Sequence, residues 1–440
     1  MLIFNECGQS TPTLVCVKIS EIHQNYFSES KKNWIITSMI EMLRRTRMEY
    51  PGQFWLMAFG MLMSTLGSSM IWPFLMIYVS ETLAVSLAVV TSLMTINSVT
   101  NLLFSFIAGP VIDRLGRKWV MVISLIGNGG CYILMSFADS LPEFIILMAL
   151  RGAFMPLYQV GSDAMMADML PPIKRSDGYS VLRMSNNLGI AMGPAIGGFI
   201  TSSSYSLAFF IAASGLILYG LLLAIKAKET LPVNTQPQEL KERFGGYGQI
   251  FKDKTFINFN LTFTLTTITA SMIWVLLAVY AKQNYGVPEN MYGFIPATNA
   301  IMVVTLQLFV TKQTKRRQPI RMIAIGAFFY GMAAMIIGFG NGFWWFWVAM
   351  VVMTLGELIM VPTATTFSAN LAPADKRGRY MSIHGLTWGL ASGIGPLTGG
   401  ILSDTISPHA PWFAAGAAGF ISIFFYFILL RDIKKNQNNR

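Results

Sequence analysis

Twelve apolar runs dominate this 440-residue chain, each near the roughly 20 residues a helix needs to cross a bilayer. They lie at about 53–79, 85–108, 119–138, 143–167, 181–202, 206–227, 255–280, 291–311, 320–340, 343–367, 381–403 and 411–430. Hydrocarbon offers backbone N–H and C=O groups no partner, so each run must satisfy its own and is predicted to be an α-helix. The length and continuity of the runs exclude strands. Composition agrees: 53% of residues are hydrophobic and only 12% charged, against about 25% charged in soluble proteins. The formal charge of +11 would point to nucleic acid if it were clustered. The basic residues instead occupy short connectors between apolar runs, which fits a lipid bilayer and not nucleic acid. Cys7, Cys16 and Cys131 form no CxxC pair or metal-ligand spacing, so neither a disulfide framework nor a metal site is expected.

Basic residues favour the cytoplasmic side of a membrane. Counting spans from the N-terminus puts every Lys and Arg on one side except Lys282 and Arg151, of 32 in all. Both termini are therefore expected in the cytoplasm, with the protein in the cell (plasma or inner) membrane. Residues 1–50 read as a cytoplasmic tail, either solvated or with a surface-lying helix over 33–47, and they lack a signal-peptide pattern. The polar stretch 229–254 reads as a cytoplasmic linker, and 435–440 as a short tail.

The remaining parts, 51–228 and 255–434, are copies. An offset of 202 residues superposes Ser69-Met70-Ile71-Trp72 on Ser271-Met272-Ile273-Trp274 and Tyr78 on Tyr280. The same offset superposes Pro171, Lys174, Arg175, Ser180, Leu188, Gly193, Pro194, Gly197 and Gly198 on Pro373, Lys376, Arg377, Ser382, Leu390, Gly395, Pro396, Gly399 and Gly400. The expected fold is an all-α membrane protein of twelve transmembrane helices in two parallel six-helix repeats. Such repeats suit alternating access to a site between the halves.

Between the second and third spans stands Gly109-Pro-Val-Ile-Asp113-Arg114-Leu-Gly116-Arg117-Lys118. It reads as a tight turn in which glycines permit close backbone approach and Asp113 caps the third helix. The segment resembles the signature loop of the major facilitator superfamily, G-x-x-x-D-R-x-G-R-K/R, at every fixed position, and the resemblance covers about 50–434. It implies the two-repeat fold named above and a gating latch in which Asp168, at the end of the fourth span, pairs with Arg114 or Arg117. The second-half loop, Thr311 to Arg317, keeps the charge but not the Gly and Asp, so the latch is expected in the first half only. In the fifth span, Asn187, Gly189, Gly193, Pro194, Gly197 and Gly198 match the motif of the superfamily's drug/proton antiporters. Glycines at i, i+4 and i+8 share one helix face. That face is expected to form a tight seam against a helix of the other half.

Charge inside the membrane is rare and functional by default. Arg151 and Asp163 fall in the fourth span and Glu357 in the tenth. The resemblance places Arg151 and Glu357 on opposite walls of a central cavity and links Arg151 to proton coupling; otherwise Arg151 is a structural hydrogen-bond hub. Carboxyl groups in low-dielectric surroundings can exchange protons near neutrality, so Glu357 is a candidate for the protonatable or substrate-binding group. Trp72 and Trp274 fit either the outer cavity or the interfacial aromatic belt. Trp344, Trp345 and Trp347 fit the belt, and His384 reads as a packing residue. No catalytic constellation, phosphate loop or cofactor site occurs. The expected function is proton-coupled efflux of small amphipathic compounds by a monomeric antiporter. Uptake or exchange of a specific metabolite is the alternative, and a non-transporting membrane enzyme or receptor a remote third.

Overall fold

The structure, a computed structural model, describes residues 50–231, 250–373 and 377–438. The expected tail before Tyr50, most of the linker and residues 439 and 440 lie outside the described residues. By contact the chain divides into Met1–Trp55 and Leu56–Arg440. In the first unit Tyr50 stacks on Phe54 with ring centroids 4.4 Å apart.

Among the described residues twelve long helices follow in order: α1 (Gly52–Leu83), α2 (Leu87–Leu115), α3 (Arg117–Met135), α4 (Leu141–Met169), α5 (Pro172–Thr201), α6 (Tyr205–Lys226), α7 (Lys254–Tyr285), α8 (Phe294–Thr314), α9 (Pro319–Phe339), α10 (Phe343–Leu371), α11 (Arg377–Thr405) and α12 (Ala410–Asn438). A single helical turn, Glu289–Tyr292, precedes α8. Among the described residues there is no strand, and nine of these helices are long and apolar enough to cross a membrane. Twelve such spans were expected. The other three, α5, α8 and α11, are helical throughout but carry polar residues such as Asn186, Asn187, Asn299, Gln307 and His384. α5 meets α8 at one seam between the six-helix halves and α11 meets α2 at the other, while each keeps an exposed apolar face, with Met184, Phe309 and Leu390 on it. Leu103, Phe137, Leu218, Phe309, Trp344 and Phe424 stand exposed on the bundle surface, as a lipid-facing shell requires.

The sequence duplication reappears as duplicated contacts. Ser69 Oγ donates to the Gly189 carbonyl at 2.9 Å, and Ser271 Oγ to the Ala391 carbonyl at 2.7 Å. A Cβ at Gly193 would lie 1.9 Å from Ser69 Oγ, and one at Gly395 2.2 Å from Ser271 Oγ. Across the halves, a Cβ at Gly198 would fall 2.3 Å from the Glu289 carbonyl oxygen, and one at Gly400 2.9 Å from that of Leu87. Every partner in each pair of contacts differs by the same 202 positions. The α5–α8 and α2–α11 seams are thus two copies of one packing solution.

This corrects the expected direction of the α5 stripe. Gly189, Gly193 and Gly197 face α1 of their own half, against Thr65, Leu66, Ser69 and Met70. Only the Pro194–Gly198 side reaches the other half, at Gly293 and Glu289. Asn186 rather than Asn187 ties α5 to α1, accepting from the Thr65 hydroxyl at 2.9 Å. Close backbone approach between membrane helices needs small residues at the contact. Gly193→Leu is therefore expected to lower the melting temperature of the detergent-solubilised protein sharply, whereas Met192→Leu, on the exposed face of the same turn, leaves it within about a degree or two, as for ordinary surface changes.

Candidate functional site

The end of the bundle carrying the α2–α3 turn is here the motif end, and the opposite end the distal end. At the motif end the Gly109–Lys118 segment is tighter than its sequence suggests. Gly109 through Leu115 remain helical, and the turn is Gly116 alone, with φ +87°, a backbone conformation that favours glycine. A Cβ there would also strike Glu229 Oε2 at 2.5 Å.

Glu229, not Asp113, caps α3. Its carboxylate accepts from the backbone N–H of Arg117 and of Lys118, each at 3.0 Å, and from those of Thr230 and Leu231 at 2.9 and 3.0 Å. Partial burial pushes the Glu229 carboxyl up, but these N–H donors outweigh it and hold the group below the usual carboxylate range. Of the two arginines expected near Asp168, it is Arg117 that makes an ion pair with it, and its Nη1 also donates to the Ala164 carbonyl at 2.7 Å. Asp113 acts on Arg117 electrostatically. Arg114 stands exposed at the end of α2, and Lys118 Nζ lies 4.9 Å from the centroid of the Trp119 ring.

Within the bundle the two sequence-selected charges sit in separate nests. Arg151 is buried on α4. Its Nε donates to Asn128 Oδ1 at 3.1 Å and its Nη2 to the Tyr132 hydroxyl at 2.7 Å. The guanidinium lies 4.2 Å from the Tyr132 ring centroid and 5.5 Å from that of Trp72. Glu357, on α10, accepts at Oε2 from Asn299 Nδ2 of α8 at 2.8 Å. The same nitrogen donates to Thr354 Oγ1 at 2.9 Å. Burial and Asn299 are what act on the Glu357 carboxyl, and among the described residues it has no basic partner. Asp163 accepts from Gln159 Nε2 at 3.3 Å, and its backbone carbonyl accepts from the Tyr179 hydroxyl. Trp274 is half-buried on α7. His384 packs against Phe263 and bonds Asn260 Oδ1 at 2.9 Å.

Sequence reasoning did not place Asn128, Tyr132, Asn299 or Thr354, because polar residues inside apolar runs carry no periodic signal. It did single out Lys282, whose role is at the distal end. Its ammonium bonds Glu81 at 2.9 Å and pairs with Glu289, while the Tyr205 hydroxyl donates to Glu289 Oε1 at 2.6 Å. Gln283 Nε2 donates to Ser80 Oγ at 2.8 Å, and Asp404 accepts from the N–H groups of Leu87 and Ala88 at 3.2 and 2.7 Å. These bonds join the two halves. Burial raises the Glu289 carboxyl, but Lys282 and Tyr205 hold it below the usual range.

The profile of the Major Facilitator Superfamily matches residues 57–268 and 259–440. The chain belongs to that superfamily. It is a membrane transporter rather than an enzyme, with the superfamily's all-helical fold. A Na(+), Li(+), K(+)/H(+) antiporter of Planococcus maritimus is 26% identical over 377 residues, 79% of this chain and 87% of that protein. Multidrug resistance protein MdtH of Proteus mirabilis is 23% identical, covering 85% of this chain and 93% of its own. Among solved structures, a peptide transporter POT in complex with sulfate superposes with TM-score 0.73 at 17% identity, over 88% of this chain and 95% of that one. The nucleoside transporter NupG gives 0.75 at 11%, over 86% and 99%.

The Glu229 cap gives a signed pH dependence. A carboxyl held low in the folded state contributes stability that is present above its unfolded value and lost as pH falls through the folded one. Wild-type melting temperature should therefore fall on acidification below the ordinary carboxylate range, and Glu229→Gln should be less stable at neutral pH, by about 1 kcal/mol for a lost cap. Melts over a pH series check this; a variant equal to wild type at neutral pH would remove Glu229 as the cap.

Proposed function

We propose that the chain is a proton-coupled secondary transporter that exports small amphipathic compounds by alternating access, with Glu357 as the group that titrates. The Glu357 carboxylate, which meets one amide donor and no basic residue among the described residues, is the observation that carries this reading. A fixed, unpaired negative charge at that depth is costly, so protonation for part of the cycle is the economical state. Arg151 cannot take that part, because a guanidinium stays protonated. Its nest of neutral Asn128 and Tyr132 suits a fixed positive charge.

In this reading 51–228 and 255–434 are the moving halves, joined by a cytoplasmic linker over 229–254, and a monomer in the cell membrane is the working unit. Both termini lie in the cytoplasm, so the motif end faces inward. The Lys282–Glu81–Glu289 cluster then closes the outer side, and the Arg117–Asp168 pair within the first half shapes the inner one. Relatives that are an MdtH multidrug resistance protein and a cation/H(+) antiporter support export coupled to protons. Uptake or exchange of a specific metabolite is the second reading, favoured by the presence of both charge signs, Arg151 and Glu357, within the bundle.

In sealed proteoliposomes with an imposed pH gradient, Glu357→Gln is expected to abolish gradient-driven flux of a cationic dye, at least tenfold below wild type, while dye binding persists. Flux of parental size with matched protein content would remove Glu357 as the coupling group and leave Asp163 as the next candidate.

A further inference from the structure

At the distal end of the α2–α11 seam lies a cavity of about 310 Å³, walled by Ser80 of α1, Leu87 of α2, Leu276 and Tyr280 of α7, Asp404 of α11 and Trp412 of α12. Both halves contribute to it. Leu276, Tyr280 and Trp412 are buried and make its floor, while Ser86, Gln283, Asn284 and Asp404 stand exposed at its rim. Trp412 is 1% exposed, and its indole N–H makes no hydrogen bond of ordinary geometry, which is uncommon for a buried donor. Asp404 is the one charged side chain among the described residues that line the space. Its two oxygens each accept one backbone N–H, from Leu87 and Ala88, and keep lone pairs for a further donor.

The duplication explains why the space is there. The ion pair of Lys282 with Glu81 at 2.9 Å has as its copy, 202 positions away, the Gln283–Ser80 hydrogen bond at 2.8 Å. The turns beside them repeat as well, with φ +50° at Ala84 and +63° at Gly286. Serines stand at positions 80 and 407 where the copied positions hold Lys282 and Tyr205, and Leu276 stands where the copy holds Phe74. This seam therefore lacks the side-chain bulk and the ion pair of its counterpart, and the cavity takes their place.

We propose that the cavity binds a small organic monocation carrying an aromatic ring and an oxygen acceptor, and that its occupant is a brake on transport that holds the two halves together. Asp404 supplies the counter-charge, which an anion would oppose. The Tyr280 and Trp412 rings, with centroids 5.0 Å apart, offer faces to a ring or to the cation itself, and the unpartnered Trp412 N–H takes the acceptor. The volume is at the lower end of small-molecule sites, roughly 300–1,000 Å³. Because the walls belong to both halves, an occupant loses one wall when the distal end opens, so binding favours the closed state. The inference rests on the alternating-access reading above, since a brake needs a distal end that opens.

The test uses the full chain, in detergent for calorimetric titration and in proteoliposomes for dye flux, with 4-methoxyphenethylammonium as the probe and the neutral 4-methoxyphenethyl alcohol as its comparison. Wild type is expected to bind the cation saturably, and at least about tenfold more tightly than the alcohol, as for a charge pair. Asp404→Asn, which keeps an acceptor for the α2 N–H groups, should weaken cation binding by a similar factor. Trp412→Phe should weaken it about fivefold, as for one neutral hydrogen bond, and Leu276→Phe, which installs the side chain of the copied position, should abolish it. In proteoliposomes the probe should lower the maximal dye flux and leave the half-saturating dye concentration unchanged. No saturable binding to wild type, equal affinity for the alcohol, or affinity unchanged in Asp404→Asn or in Leu276→Phe would each overturn the site. A probe that raises the half-saturating dye concentration without lowering maximal flux competes for the substrate path and overturns the brake. If wild type does not bind the probe yet Glu357→Gln loses gradient-driven flux, the cavity site fails while the proton role stands.

Discussion

Backbone contact between helices, permitted by glycine, is the constraint on which the rest of this structure depends. Lipid supplies no hydrophobic force to press one membrane helix against another, so association rests on close packing and on hydrogen bonds across the contact. The chain meets that demand once and uses the answer twice. Gly193 on α5 and Gly395 on α11 lie against the serines of α1 and α7, and Gly198 and Gly400 meet backbone of the opposite half. Because each contact has a copy 202 positions away, the seams between the halves are alike in construction, and the bundle can be symmetric while its polar sites are not.

The asymmetry lies in the charges. The first half holds the Arg117–Asp168 pair, the Glu229 cap and the Arg151 nest; the second holds Glu357 with Asn299 and Thr354. Arg151 is buried against the neutral acceptors Asn128 and Tyr132, whereas Glu357 is half-buried with one amide donor. Lys282 bridges the halves at the distal end through Glu81, beside the Tyr205–Glu289 hydrogen bond that also crosses between them.

The sequence made the helices legible because a bilayer imposes a length on every span, and the duplication because identical residues recur at one offset. The α5 glycines were recognised, but the helix they face was not: a helical stripe says that something packs closely, not what. The turn at Gly116 and the cap from Glu229, 112 residues away, were missed for a related reason, since a distant carboxylate took the capping role the local sequence assigned to Asp113. Asn128, Tyr132, Asn299 and Thr354 became visible only when folding set them beside Arg151 and Glu357. Lys282 was the exception. As one of two cations off the basic side, it was marked before its partners were known.

The central claim is that two six-helix halves move as bodies about the α2–α11 and α5–α8 seams, with the distal contacts closed in the state described. Pulsed electron-spin measurements in proteoliposomes address it most directly, using one spin-label pair at Ser203 and Thr405 near the distal end and another at Lys226 and Arg317 near the motif end. The account predicts two distance populations at each pair, with Lys282→Ala shifting the distal pair toward the longer and the motif-end pair toward the shorter. A single unchanging distance at both ends, or both ends lengthening together, would contradict it.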